Sequence, residues 1–295
     1  MLVAKGKEPE SITAGSLFLV CRPCRLRQFR SIPEEQFQIV NHKRLYRRWK
    51  RQYGRGLKAV AKELDRCRKT GDAEAVHQLR VAIRRTRLLA LMGRAVIGRE
   101  RAMTYRAWTQ RLADALSPVR DYDVMIDWAK KVCHDAEFVR ALQKDRAVAW
   151  REARKALREP APADWSELRR VKAGAKKRRK LAARYEKVAG STRERIEMEA
   201  AYFERLDATA RHDLRRAVRR LKYLQELEKK PEQSEQLAKL QGGLGELQNA
   251  QAMKQLLQNG RSHLGHRTQL IRDIKREETQ WFTRCRRSIK RVVKP

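Results

Sequence analysis

Apolar residues recur every three or four positions through most of the chain after about residue 41, the period of an α-helix with one buried face. The spacing predicts helices over about 41–70, 73–92, 99–116, 119–132, 135–158, 165–188, 198–228, 233–259 and 264–292. No long run of alternating β-branched and polar residues predicts a strand. We therefore expect an all-α protein.

Breaks between the predicted helices fall at glycine and proline. Gly71 ends the first helix, and Asp72 directly after it is a residue type that caps the start of the next one. Pro118 is expected to separate the predicted helices 99–116 and 119–132, because proline lacks the N–H group that a helix interior uses. Pro231 is expected to interrupt the helical pattern in the same way.

Two blocks of the chain match each other without a gap, residues 77–87 and residues 212–222. Their His, their Leu and three of their Arg positions are identical. A second pair of segments, residues 116–125 and 244–253, aligns downstream of each block. The chain therefore contains an internal repeat, which constrains the architecture before any single motif does.

Each repeat would hold several antiparallel helices, which is typical of a four-helix bundle. We predict two four-helix bundles in tandem, related by a pseudo-twofold axis, with halves of about 41–160 and 161–295. Residues 1–40 contain three prolines and little periodicity, so we expect an N-terminal extension that need not fold on its own.

On each matched helix, one His and three cations share a face opposite the apolar side. These faces consist of His77, Arg80, Arg84 and Arg87 on the first helix and of His212, Arg215, Arg219 and Lys222 on the second. Arg85 and Arg220 flank them. No carboxylate occurs between Arg80 and Leu91, although a solvated helix face normally mixes signs. The like charges on each face repel one another, and a bound anionic ligand would offset that repulsion. The alternative interpretation is a basic, solvated helix surface.

The charge of the whole chain points to the same class of partner. The 295 residues include 71 Lys and Arg against 35 Asp and Glu, a formal net charge of +36. This excess indicates a polyanionic partner, which could be nucleic acid, polyphosphate or an anionic membrane. Hydrophobic residues make up 41% of the chain, enough to build a core.

Catalytic and cofactor motifs are not found. The sequence shows no Ser–His–Asp or Cys–His nucleophile spacing, no Gly-rich phosphate loop and no His-Glu-x-x-His motif. Asp121 and Asp123 are candidates for a metal or catalytic pair, but helix capping or orientation of Arg120 is the favoured interpretation. We expect a binding protein without enzymatic activity, metal or cofactor.

The five cysteines are odd in number and irregularly spaced, which argues against a secreted disulfide scaffold. Cys21 and Cys24 form a Cys-x-x-Cys motif with no second pair, so incidental thiols are favoured over a zinc or redox site. The apolar run at 17–20 is too short for a signal sequence, and no stretch is long enough to span a membrane. We expect a cytoplasmic protein.

The chain resembles the CHAD (conserved histidine α-helical domain) family over about residues 45–290. The resemblance rests on residues 75–81 with the arginines that follow, on residues 119–124, and on residues 212–215, 219–223 and 240–247 in the second half. It implies an all-helical tandem of two bundles that binds inorganic polyphosphate in a basic central groove or pore, often on polyphosphate granules. In the second half, residues 248–251 depart from the Arg-Asp-Tyr-Asp of residues 120–123.

Polyphosphate has no bases, so a protein that recognises it needs guanidinium forks and ammonium groups rather than a base code. His77 and His212 would add two hydrogen-bond donors each when protonated; packed or solvated histidines are the alternative. The predicted ligand-binding residues are His77, Arg80, Arg84, Arg85, Arg87, Arg120, His212, Arg215, Arg219, Arg220, Lys222, Lys58 and Lys62. Sequence-independent nucleic-acid binding is the alternative function; aromatic residues make up only 6% of the chain and do not interleave with the basic faces, which disfavours base stacking.

Overall fold

The computed structural model describes residues 41–132, 136–162, 165–228, 231–258 and 267–293, and this part of the chain forms helices joined by short connections, without a strand. The helices are α1 His42–Thr70, α2 Ala73–Met92, α3 Arg94–Ile97, α4 Arg99–Val132, α5 Ala136–Leu157, α6 Trp165–Arg169, α7 Ala175–Ala201, α8 Ala208–Glu228, α9 Pro231–Gln258 and α10 Arg267–Val293. The predicted all-α class is confirmed. The predicted N-terminal extension, with its Cys-x-x-Cys motif, lies outside the described residues.

Side chains cap the N-terminal ends of α1 and α2. The Asn41 side chain accepts hydrogen bonds from the backbone N–H groups of Lys43 and Arg44, both at 3.1 Å. Asp72 accepts from the N–H of Ala75 at 2.6 Å, which confirms its predicted role as a cap. Gly71 between the two helices has a φ of 61°, a left-handed conformation that glycine adopts without strain.

The predicted break at Pro118 is wrong, because α4 continues through this proline. Side chains supply hydrogen bonds in the turn that the proline weakens. The carbonyl of Ala113 accepts from Ser117 Oγ at 2.9 Å and from Arg80 Nη1 at 2.7 Å. An arginine from the predicted basic face of α2 therefore contacts α4 at its proline turn.

The helices predicted over 165–188 and 198–228 have different limits in the structure. The chain leaves the helical conformation after α6, where the carbonyl of Val171 accepts a hydrogen bond from Tyr46 Oη of α1 at 3.3 Å. The α-helical conformation ends again after α7, where Phe203 is buried and stacks on Phe282 with ring centroids 5.0 Å apart. Long-range contacts therefore set these boundaries.

The predicted interruption at Pro231 is confirmed, because α8 ends at Glu228 and Pro231 begins α9. Proline suits the first turn of a helix, because the backbone N–H groups there have no partner within the helix. The predicted start near residue 233 is thus slightly late.

Contacts between neighbouring helices close two sets of four. In the first, α1 packs on α2, α2 on α4, α4 on α5, and α5 on α1. In the second, α7 packs on α8, α8 on α9, α9 on α10, and α10 on α7. Each set has the number of helices expected of one repeat; their relation by a pseudo-twofold axis stays a prediction.

The two halves share a buried core at two separate places. Near the start of α1, the core of the first half includes Leu181 and Tyr185 of α7 and Leu224 and Leu227 of α8. A separate cluster joins the end of α4 and the start of α5 to the end of α9 and the start of α10. These contacts hold α2 and α8, the two helices of the sequence repeat, in one framework.

Candidate anion-binding site

The basic faces of α2 and α8 each reach the third helix of their own half through one arginine. Arg80 Nη1 donates to the Ala113 carbonyl of α4 and to Ser117 Oγ at 2.8 Å. Arg215 Nη1 donates to Gln248 Oε1 of α9 at 2.6 Å. Both arginines occupy matched positions of the repeat, so each half holds its arginine in a similar way.

Arg84 of the first half acts electrostatically on two arginines of the second half. Its positive charge lowers the pKa values of Arg215 and Arg219 on α8, after burial as the main cause. The charge of Arg120 on α4 in turn acts on Arg80 and Arg84. The structure thus brings together the five residues that we call the central arginine cluster, which are Arg80, Arg84, Arg120, Arg215 and Arg219.

In the part of the chain that the structure describes, carboxylates act on some members of this cluster, such as Asp121 and Asp114 on Arg80 and Glu246 on Arg215, but not on its two central arginines. Burial and the charges of Arg84 and Arg215 lower the pKa of Arg219 to about 9. Among the described residues, no carboxylate is among the charges that act on Arg84 or Arg219. Both side chains are only half-buried, so water and small anions reach them. Guanidinium groups stay protonated at neutral pH, which leaves a site of concentrated positive charge.

His77 lies beside the cluster on α2. Burial lowers its pKa, and the charges of Arg120, Arg84 and Arg80 lower it further, while Glu74 acts in the opposite direction. His77 is therefore biased towards its neutral form when no anion is present. His212 occupies the matched position on α8 and is also half-buried.

Arg85 connects the halves instead of standing free. It forms an ion pair with Glu226 of α8, and its guanidinium lies 5.3 Å from the centre of the Tyr223 ring. The neighbouring Lys222 has a pKa lowered first by burial and then by the charge of Arg85. Tyr223 also acts electrostatically on Arg84, so it borders the central arginine cluster.

Five further predicted site residues are not placed in the cluster by any described contact, and His212 is one of them. Arg87 faces Arg106, Asp114 and Tyr105 of the α4 side, and the Nε atom of Arg87 is buried without a hydrogen-bond partner among the described residues. Arg220 is exposed, and the charges that act on it are those of Arg216 and Arg195. The remaining two, Lys58 and Lys62, are exposed on α1.

The two aspartates that follow Arg120 have different partners. Asp121 interacts with the charges of Arg80 and Arg120, and burial raises its pKa. Asp123 is buried and accepts a hydrogen bond from Arg146 Nε of α5 at 2.5 Å, so the expectation that Asp123 caps a helix or orients Arg120 is wrong. Within the residues that the structure describes, no cluster of His, Cys, Asp and Glu could hold a metal ion.

Two residues at the site were missed by sequence reasoning, Tyr223 and Glu226. Tyr223 follows Arg219 by four positions, one helical turn along the same face of α8, so the spacing could have suggested it. Glu226 gave no signal, because its partner Arg85 is 141 positions away in the chain.

The sequence model of the CHAD domain matches residues 51–258. The chain belongs to the CHAD family. The match includes α2, α8 and all five arginines of the central cluster. Comparison with curated proteins gives no match by sequence.

Solved structures share this fold at low sequence identity. The CHAD domain from the plant Ricinus communis is 17% identical, with a TM-score of 0.56 over 83% of this chain and 91% of that one. PptA from Streptomyces chartreusis is 14% identical, with a TM-score of 0.59 over 83% of this chain and 98% of that one. Both neighbours support the fold. None of the helices in the described part of the chain is long and apolar enough to cross a membrane.

Proposed function

We propose that this CHAD domain binds inorganic polyphosphate in a groove lined by α2, α4 and α8, with the central arginine cluster as its main contact. One observation carries the proposal: half-buried guanidinium groups from both halves converge, and no carboxylate among the described residues acts on Arg84 or Arg219. An anion at this place would relieve the repulsion and accept hydrogen bonds from several arginine forks. Family membership supports the same ligand.

The chemistry of the cluster favours a thin, flexible polyanion over nucleic acid. Polyphosphate carries about one charge per phosphate and exposes oxygen atoms on all sides, so half-buried arginines can surround it. Proteins that bind single-stranded nucleic acid add aromatic platforms on which bases stack. The aromatic ring described beside this cluster, Tyr223, is already covered by Arg85. Sequence-independent nucleic-acid binding remains the second candidate because the net charge is +36.

The proposed role is binding and not catalysis. The cluster consists of arginines, and the neighbouring Asp121 faces two of them instead of a nucleophile. In the cell, a protein of this charge with a polyphosphate groove would gather on polyphosphate granules in the cytoplasm.

Neutralising the cluster tests the proposal. The double variant Arg84→Gln with Arg219→Gln should bind polyphosphate about 100-fold or more weakly, because each charged hydrogen bond contributes roughly 1.5–3 kcal/mol. Calorimetry with chains of defined length at about 0.15 M salt measures the affinity. The control is Arg151→Gln with Arg154→Gln, two exposed arginines of α5 with the same change in charge.

A folded double variant with wild-type affinity would place the site elsewhere. Loss of binding through misfolding is separately visible, because removing mutually repelling buried charges should leave the melting temperature of the free protein unchanged or raised. Circular dichroism on the same samples measures it.

A further inference from the structure

We propose a second anion-binding site on α1, beside the C-terminal end of α8, where Arg44, Arg47, Arg48 and Arg51 bind another segment of polyphosphate. The inference rests on the proposed function for the identity of the anion. Its residues are separate from the central arginine cluster, and Arg44, Arg47 and Arg48 precede the part of the chain that matches the CHAD model.

Two adjoining cavities follow this stripe of arginines. Among the described residues, the first is lined by Arg44, Arg47, Arg48 and Arg51. The second is lined by Arg48, Arg51, Gln52, Arg55, Glu226 and Leu227. With a rise of 1.5 Å per residue, the stripe from Arg44 to Arg55 is about 16 Å long. An elongated row of guanidinium groups suits a linear chain of phosphates better than one compact anion.

The stripe is fixed in place by contacts with α8. Arg48 Nη1 donates to the carbonyls of Leu227 at 3.2 Å and Glu228 at 2.9 Å, and Gln52 Nε2 donates to the carbonyl of Glu226 at 3.2 Å. Under the arginines, Trp49 and Tyr53 are buried and stacked, with ring centroids 5.2 Å apart. The guanidinium groups therefore stand on a rigid helix face, which lowers the entropy lost when a ligand binds.

No carboxylate of α1 itself lies along the stripe. Residues 42–62 of α1 contain no Asp or Glu. Burial and the charges of Arg44 and Arg51 lower the pKa of Arg48, while Glu228 acts in the opposite direction. Glu226, the carboxylate that lines the second cavity, forms an ion pair with Arg85. The exposed Arg44, Arg47 and Arg51 are thus available to an external anion.

Stoichiometry with tripolyphosphate, an anion too short to occupy both sites, separates them. The wild-type protein should bind about two ions at about 0.15 M salt. The variant Arg44→Gln, Arg47→Gln and Arg51→Gln should bind about one, and Arg48 is left intact because it holds α8. The control changes Arg151, Arg154 and Arg158, three exposed residues with the same sequence spacing and change in charge, and should still bind about two.

The outcomes distinguish this inference from the proposed function. If the α1 variant binds as many ions as the control variant, the second site is refuted while the central one stands. If Arg84→Gln with Arg219→Gln leaves binding unchanged but the α1 variant loses one ion, the α1 site stands and the central one fails. If the α1 variant loses affinity for duplex DNA but not for tripolyphosphate, the stripe serves nucleic acid and the inference is overturned. Circular dichroism verifies that every variant is folded.

Discussion

The arginines of this protein differ in whether a carboxylate of the protein itself pairs with them. Arg146 of α5 donates to Asp123 and to the carbonyl of Gly71 at 2.9 Å, so it joins three parts of the first half. In the described part of the chain, no carboxylate is among the charges that act on Arg84 and Arg219. Removing an arginine of the first kind should destabilise the fold, because it leaves a buried carboxylate unpaired. Removing one of the second kind should weaken ligand binding.

His77 should make polyphosphate binding dependent on pH. Burial and the cluster arginines hold its pKa below the usual range in the free protein. Bound phosphates reverse the local field and raise that pKa, so binding takes up protons near neutral pH. Affinity should then weaken as pH rises through the pKa of the bound state. Calorimetry at pH 7 in buffers of different ionisation enthalpy measures the uptake.

The variant His77→Gln provides the reference for this measurement. Terminal phosphates of the ligand titrate in a similar range, so the difference between wild type and variant is the quantity that counts. Equal proton uptake by both proteins, with the same pH dependence of affinity, would show that His77 keeps one protonation state.

At the residue scale, the repeat predicted the centre of the candidate site but not its edges. Matched positions on two helices identified Arg80, Arg84, Arg215 and Arg219, because a helical period gives the direction of each side chain about its own axis. The helical period does not indicate which side chains of the neighbouring helix lie opposite. Arg87 meets the side chains of α4, and Arg85 meets Glu226, through contacts that no local pattern encodes.

Helix boundaries were predictable where the chain carries its own cap. Asp72 caps α2 as its sequence position indicates. Boundaries that depend on distant partners were missed, as at Val171, whose carbonyl is used by Tyr46 of α1. Pro118 stays inside α4, next to a turn in which Ser117 and Arg80 donate hydrogen bonds to the Ala113 carbonyl.

Gly245 of α9 lies against the guanidinium of Arg215. A Cβ atom at this glycine would lie 2.8 Å from Arg215 Nη2, so Gly245→Ala should displace the guanidinium from its hydrogen bond with Gln248. The side chain is flexible, so the fold should persist while affinity for polyphosphate falls about tenfold or more. Titration calorimetry and thermal unfolding on the same variant measure the two effects.

The matched control is Gly242→Ala in the same helix, where an added Cβ meets nothing within 4 Å. It should raise the free energy of unfolding by up to about 1 kcal/mol through helix propensity and leave affinity unchanged. Equal affinities for the two alanine variants would contradict a role for Gly245 in placing Arg215.

On the scale of the whole molecule, the cations divide into exposed ones and half-buried ones held between helices. The net charge of +36 attracts any polyanion, but the partial burial of Arg84 and Arg219 should favour a thin chain over a duplex. The shared cores at two places keep α2 and α8 in one framework, so the cluster should exist before the ligand arrives. Such a prearranged site loses little entropy on binding.

This division predicts how polyphosphate and duplex DNA compete. Both affinities should fall steeply with salt because counterions are released. At about 0.15 M salt, polyphosphate should displace DNA supplied in excess, since DNA is limited to the exposed cations. Arg84→Gln with Arg219→Gln should therefore weaken polyphosphate binding and leave DNA binding nearly unchanged. Arg151→Gln with Arg154→Gln should weaken DNA binding slightly and leave polyphosphate binding nearly unchanged. Fluorescence anisotropy of labelled DNA, titrated with polyphosphate across several salt concentrations, measures both. Tighter binding of DNA at about 0.15 M salt, or an equal loss of both ligands in the cluster variant, would instead favour a nucleic-acid-binding protein.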